Sequence, residues 1–307
     1  MSLRNTKERI AGGLLNLLCI GVASLLLVMA ASLLFRAEPV LEMISLKELL
    51  VSTAWSPSQG NFGLASFIVG SLWVTCIAMG IAVPLGMLSA VFLAEYAPQW
   101  VKGIAHPVVD VLAGISPVVY GVWGLAAIVP LVSDYLMPFL SEQFPFFPFA
   151  SDNYTGYSAL SGGLVLAVMI LPIIIGFGSE VIRAVPLEVR EASLSLGATR
   201  WETTKWTVLK QAKPGLIAAV ILALSRAFGE TMAVLMVAGC SLHGTPKSIF
   251  DPAYPLPALI ANTYGEMMSI PLYDSTILLA AFVLFAITFA FNAAAWTILV
   301  RVKRRAT

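Results

Sequence analysis

Charge is scarce in this sequence. Asp, Glu, Lys and Arg make up 11% of its 307 residues, and 59% are hydrophobic. A soluble domain carries about 25% charged residues, so this chain has too little polar surface to cover itself in water. A lipid bilayer is the solvent that fits. The formal net charge is +1, which gives nucleic acid or another polyanion no purchase. Cysteine is also rare. Cys19, Cys76 and Cys240 all fall in or beside apolar stretches, without metal-ligand spacing or an even-numbered framework, and read as small apolar filler. There is no Gly-x-x-x-x-Gly-Lys-Ser/Thr loop, so the chain does not hydrolyse ATP by itself. No internal repeat and no low-complexity tract stands out.

Long apolar runs are present instead. A spanning helix needs about 20 apolar residues, and six segments qualify: 10–35, 62–94, 104–133, 157–179, 214–239 and 275–300. The first is too long for a secretory signal core. It reads as an uncleaved anchor closed by Arg36 and Glu38. With the N-terminus inside, fourteen of the 18 Lys and Arg residues fall on inner segments. Only Arg36, Lys47 and Lys247 fall on outer ones, and Arg226 alone lies within a span. The positive-inside rule therefore places both termini in the cytoplasm. The expected fold is all-α integral membrane with six transmembrane helices. Residues 1–61 form an N-terminal helix with its extracytoplasmic loop, and 62–307 form the core. A short surface helix is expected over 258–268 in the Pro-rich outer loop.

The longest inner loop, 183–213, has a local grammar. Pro186 suits the first turn of a helix, and Glu188 and Glu191 favour the positive end of its dipole. Gly197 suits a helix end in the left-handed region. Thr199 and Glu202 have capping-box spacing for a second helix, expected to run to about Ala212 before Pro214 opens the fifth span. Trp201 and Trp206 suit the membrane interface. Such a helix–Gly–helix unit either docks into a groove on another protein or lies on lipid.

Glu191-Ala192-Ser193-Leu194-Ser195-Leu196-Gly197-Ala198 resembles the EAA loop of binding-protein-dependent ABC importer permeases. Glu191, Ala192 and Gly197 match by type and spacing, and Leu209 falls at the later Leu position. Thr207 and Lys210 stand where that motif has Ile and Pro. Pro84-Leu85-Gly86, the run from Leu112 to Gly121, Arg183-Ala184-Val185-Pro186 and Arg226-Ala227-Phe228-Gly229-Glu230-Thr231 are similar to the C-type permeases of phosphate importers. The resemblance implies a type I importer fold in the bacterial inner membrane, with Glu191, Ala192, Ser193, Gly197 and Ala198 on a cytoplasmic coupling helix gripped by an ATPase subunit. It further implies heterodimerisation with a second, homologous permease, an ATPase dimer that uses the ATP, and an extracytoplasmic phosphate-binding protein. This chain would bind no cofactor and no metal. A permease for sulfate or molybdate, and an ATP-independent channel or secondary transporter, are the alternatives. An intramembrane enzyme would need several titratable groups converging at one depth, which the spans do not offer.

Arg226 and Glu230 are the exception to that poverty. A mid-bilayer charge costs at least about 2.5–3.5 kcal/mol on insertion scales. Four-residue spacing places the two on one face of a continuous helix. The Arg fork matches oxyanions, with Ser225 and Thr231 adding hydroxyls near the same depth. Two readings stay open: a place on the anion path, or a structural ion pair. His106 and Asp110 are expected near water at the inner end of the third span. Gly114, Pro117, Gly121 and Gly124 allow a bend there.

Overall fold

The computed structural model describes residues 2–144, 146–149, 153, 155–242, 244–266 and 272–306. Among these, six helices are long and apolar enough to cross a membrane. Helix α1 covers Ser2–Met43 and α2 Leu46–Val51. A two-stranded hairpin, β1 Trp55–Ser56 with β2 Asn61–Phe62, precedes α3, Ala65–Tyr96. Helix α4 spans Gln99–Gly114, α5 Pro117–Gln143 and α6 Ala159–Arg183. The inner loop carries α7, Leu187–Ser195. Then come α8, Arg200–Phe228, the short α9, Met232–Val237, α10, Leu256–Thr263, and α11, Tyr273–Ala306.

The spine of the bundle is α3 against α6. In lipid, helices gain nothing by hiding apolar surface from one another, so close backbone approach has to hold them. Three glycines provide it along the whole interface. A Cβ on Gly163 would sit 2.5 Å from Ile77, one on Gly86 2.7 Å from Ile174, and one on Gly178 2.9 Å from Ala90. Val74, Ala78, Ala82, Leu166, Ile170 and Ile174 are buried between them.

A second cluster ties the N-terminal appendage to the outer face. Trp55 meets Phe67 edge-on at 5.1 Å, and Phe67 meets Tyr254 at 5.3 Å. Leu49, Leu64, Leu256 and Ile277 are buried with them. Helix α1 leans on α11 and otherwise leaves its apolar flanks bare.

Several boundaries differ from expectation, each for a local reason. Helix α1 runs through Arg36, Glu38 and Pro39 to Met43, because Ala37 and Val40 are buried in the outer cluster and hold its last turns. The expected third run, 104–133, falls on two helices, of which Pro117–Gln143 is the one long and apolar enough to cross. Pro117 disfavours helix in the residue before it, and Ile115 and Ser116 are extended, with ψ of 135° and 139°. The Tyr120 hydroxyl donates to the Leu112 carbonyl at 2.9 Å and staples the joint. The apolar helix then continues beyond Ser133 to Gln143 through two π-turns. His106 and Asp110 therefore sit on α4, where His106 Nε2 contacts Arg183 Nη2. Pro214 does not open a new helix; it lies inside α8. The outer helix is Leu256–Thr263, and positions 267 and 268 of the expected 258–268 lie outside the described residues.

Replacing Gly163 by Val should cost about 1–3 kcal/mol, the usual penalty of overpacking. Gly80, on the same helix as Ile77, has no atom within 4 Å of its Cβ position and should tolerate Val. Unfolding midpoints of the two purified variants in detergent check this; equal midpoints would remove the glycine seam as the determinant.

Candidate functional site: a braced interhelical loop and an intramembrane helix break

The inner loop folds as its sequence dictates. Helix α7 ends at Ser195 with Leu196 as its C-cap, and Gly197 turns the chain at φ +88° with nothing within 4 Å of its Cβ position. Gly197 N–H donates to Leu194 O (2.9 Å) and Ala198 N–H to Ser193 O (3.4 Å), closing the carbonyls of the helix end. Thr199 then forms the reciprocal capping box. Its Oγ1 accepts from Glu202 N–H, and its own N–H and hydroxyl donate to Glu202 Oε2, both at 2.8 Å. Ser193 and Thr203 hydroxyls meet at 3.0 Å across the turn, and Thr207 Oγ1 donates to Ser193 Oγ at 3.4 Å. The two limbs are thus locked to each other. Glu191, Ala192 and Gly197 are exposed. So are Leu187, Leu194, Leu196 (90%), Trp201 and Trp206, an apolar outer side unusual for a water-facing loop.

The loop is also locked to the membrane domain, through two residues that sequence reasoning passed over. Glu95 and Tyr96 form the end of the π-turn that closes α3. Arg190 of α7 pairs with Glu95 Oε1 at 3.1 Å, and its Nη2 donates a directed bond to the Ile182 carbonyl at 2.7 Å. Arg200 Nη2 donates to the Glu95 carbonyl, and the guanidinium lies 5.2 Å over the Tyr96 ring. The Tyr96 hydroxyl donates to Thr204 Oγ1 at 3.3 Å. A carboxylate at the inner end of the second apolar run was the one available signal, and nothing local says which cation meets it.

The second element is a break in α8. The helix stops at Phe228, and Gly229, Glu230 and Thr231 lie outside regular helix before α9 starts at Met232. The fifth apolar run is therefore not one helix from 214 to 239, and Arg226 and Glu230 do not share a helical face. Arg226, in the last turn of α8, is exposed, and neither an ion pair nor a hydrogen bond ties it to Glu230 among the described residues. Glu230 instead turns inward. Its Oε1 accepts weakly from Ala233 N–H at 3.4 Å. It borders a cavity of about 10 Å³ with Ser71, Thr75 and Leu166, the size of one water. Leu166 lies seven residues below the outer start of α6, about 10 Å at 1.5 Å per residue, so the break lies within the apolar slab.

Ser225 precedes Arg226 in the last turns of α8 but faces elsewhere. It is buried, and its Oγ accepts from Asn292 Nδ2 of α11 at 2.7 Å. Thr231 Oγ1 donates weakly to the Gly229 carbonyl at 3.4 Å. Non-helical backbone at membrane depth survives only where protein buries it or a water-filled cavity adjoins it. Broken helices of this kind build substrate sites in transporters. An exposed guanidinium at such a depth calls for an anion, water or a partner's carboxylate opposite it.

Known proteins agree with this architecture. Residues 82–304 match the binding-protein-dependent transport system inner membrane component family. The phosphate transport system permease protein PstC of Xylella fastidiosa is 38% identical over 258 residues, covering 83% of this chain and 79% of that protein. A probable PstC of Methanocaldococcus jannaschii is 37% identical over 263 residues, covering 84% and 82%. A probable ABC transporter permease, YqgH of Bacillus subtilis, is 37% identical over 246 residues, covering 80% and 74%. Among solved structures, a chain of the inward-facing MetNI methionine ABC transporter superposes with a TM-score of 0.53 at 17% identity, covering 80% of this chain and 99% of its own. A chain of an amino acid ABC transporter gives 0.50 at 18%, covering 77% and 92%. The chain has the ABC importer permease fold and belongs to the family of binding-protein-dependent transport system inner membrane components.

Proposed function

We propose that this chain is the membrane-spanning subunit of an ATP-driven phosphate importer, forming half of the translocation pathway. The observation that carries this reading is the inner loop: a rigid helix–Gly–helix with an exposed apolar side, braced onto α3 and continuous with α8, in a chain whose relatives bear phosphate permease names. A free channel has no use for such a handle. As a member of its family the chain works with an ATPase and a binding protein in the inner membrane. On this reading Glu191, Ala192, Ser193, Gly197 and Ala198 lie at the seat of the ATPase subunit. The ATPase is a dimer, a second homologous permease completes the pathway, and the binding protein delivers phosphate to the outer loops. ATP is consumed by the partner; this chain is not an enzyme and holds no cofactor. Both termini are cytoplasmic, as the Lys and Arg distribution favours. The appendage 1–61 stands outside the permease core, 62–307.

Arg226 is placed on the anion path. Its side chain is exposed within the slab and forms no ion pair among the described residues, and a planar fork of donors suits a dehydrated oxyanion. Glu230 and Thr231 sit at the adjoining break, where Glu230 disfavours anion residence and keeps the site from trapping its cargo. Ser225 serves the α8–α11 contact.

Three outcomes test these assignments. In cells lacking only this chain, Arg226→Gln should return uptake of labelled phosphate to background, with the complex still copurifying; uptake near wild-type would remove Arg226 from the path. Excess sulfate should not compete, and if it does the cargo is a wider class of oxyanion. Gly197→Asp forces a side chain into the left-handed region at about 1–2 kcal/mol and puts an acid on the docking surface. This variant, or deletion of 191–197, should insert normally yet separate ATP hydrolysis from uptake. Normal uptake would defeat the docking assignment.

A further inference from the structure

The bracing of the inner loop is asymmetric in an informative way. Arg190 and Arg200 come from the two limbs on either side of Gly197, and both close on one residue, Glu95. One takes its carboxylate and the other its carbonyl. Thr204 adds a contact to the neighbouring Tyr96. All of these land on the π-turn Phe92–Tyr96, and π-turns recur at functional sites because they carry a register irregularity in an otherwise stiff helix.

The Glu95–Arg190 pair is poorly built as a stabilising brace. Its members are only 13% and 20% exposed, so both have lost most of their water. Yet Glu95 Oε1 and Arg190 Nε are buried without a directed hydrogen bond. A partly desolvated pair of that quality contributes little net stability. It does, however, fix a position and tolerate small reorientation.

The far end of α3 gives that position a use. Ser71, Val74 and Thr75 of α3 border the same cavity as Glu230 at the α8 break. Thr75 and Glu95 are twenty residues apart on one helix, about 30 Å, and the helix is packed along its length on α6. The loop thus reaches the intramembrane break by two routes. One is direct, because α8 begins in the loop. The other runs through Glu95 into α3 and returns at Ser71 and Thr75.

We propose that Glu95 is a positioning residue for transport: the joint that makes α3 move with the cytoplasmic loop, so that both walls of the Glu230 cavity shift together when the loop is displaced. The proposal rests on the permease reading above. With the Glu95 carboxylate removed, α7 loses its hold on α3 while Arg200 and Thr204 keep theirs, so α3 follows the loop less closely and more ATP is spent per productive rearrangement at the break.

The test uses the whole complex in liposomes with its binding protein, measuring phosphate taken up per ATP hydrolysed. Wild-type complex that shows no ATP-driven phosphate uptake would defeat the permease reading itself. With wild-type transport established, Glu95→Gln should assemble and hydrolyse ATP, with uptake per ATP lower by between about 2-fold and 30-fold, the range expected for loss of a coupling contact. Glu95→Asp, which keeps the charge, should recover part of the ratio. Arg200→Lys, which weakens the grip on the Glu95 carbonyl and Tyr96, should lower it in the same direction. An unchanged ratio in Glu95→Gln overturns the proposal. Loss of assembly in both Glu95→Gln and Arg200→Lys also overturns it, because the cluster is then a structural brace.

Discussion

A peptide chain in hydrocarbon has no water to satisfy its N–H and C=O groups, so it must satisfy them itself. Nearly everything in this molecule follows from that constraint. It forces the six apolar runs into helix. It leaves van der Waals contact between close-set backbones as the adhesive, which is why Gly86, Gly163 and Gly178 line the α3–α6 seam. It also gives meaning to the places where helix fails. The joint at Ile115–Ser116 is stapled by Tyr120, and the break at Gly229–Thr231 is backed by α3 and α6. The second departure has Arg226 just before it and Glu230 within it.

The loop between α6 and α8 obeys different physics. There water is available, and ordinary capping chemistry decides: a left-handed Gly197, a Thr199–Glu202 box, and hydroxyl contacts among Ser193, Thr203 and Thr207. The result is a stiff two-limbed body with Leu196 at its tip and Arg190 and Arg200 at its root. Stiffness matters because a flexible loop would absorb a partner's push instead of passing it on. Here one limb is the beginning of α8, and the other is clamped to the end of α3.

Local grammar was legible in the sequence; long-range pairing was not. The six runs, the Gly197 turn and the capping box could be read because composition, one positive φ and a three-residue spacing each encode their own structure. The α8 break was hidden because Arg226 through Thr231 carries no proline, and the i, i+4 spacing suggested one continuous face. The joint at 115–116 was announced by Pro117, yet the apolar pattern on both sides masked it. Glu95 with Arg190, and Ser225 with Asn292, join residues far apart in the chain. No periodicity reports such partners, so the Asn292 bond that takes up the Ser225 hydroxyl could not be read from the sequence.

The account depends on the loop facing the cytoplasm and being held there by a nucleotide-binding subunit. A photo-crosslinking amino acid at Leu196, the most exposed apolar side chain of the loop, asks this directly in intact membranes. The account predicts a crosslinked product between this chain and the ATPase subunit, formed from inside the cell. Crosslinks to lipid alone, or modification of that position by an impermeant reagent added outside, would contradict it.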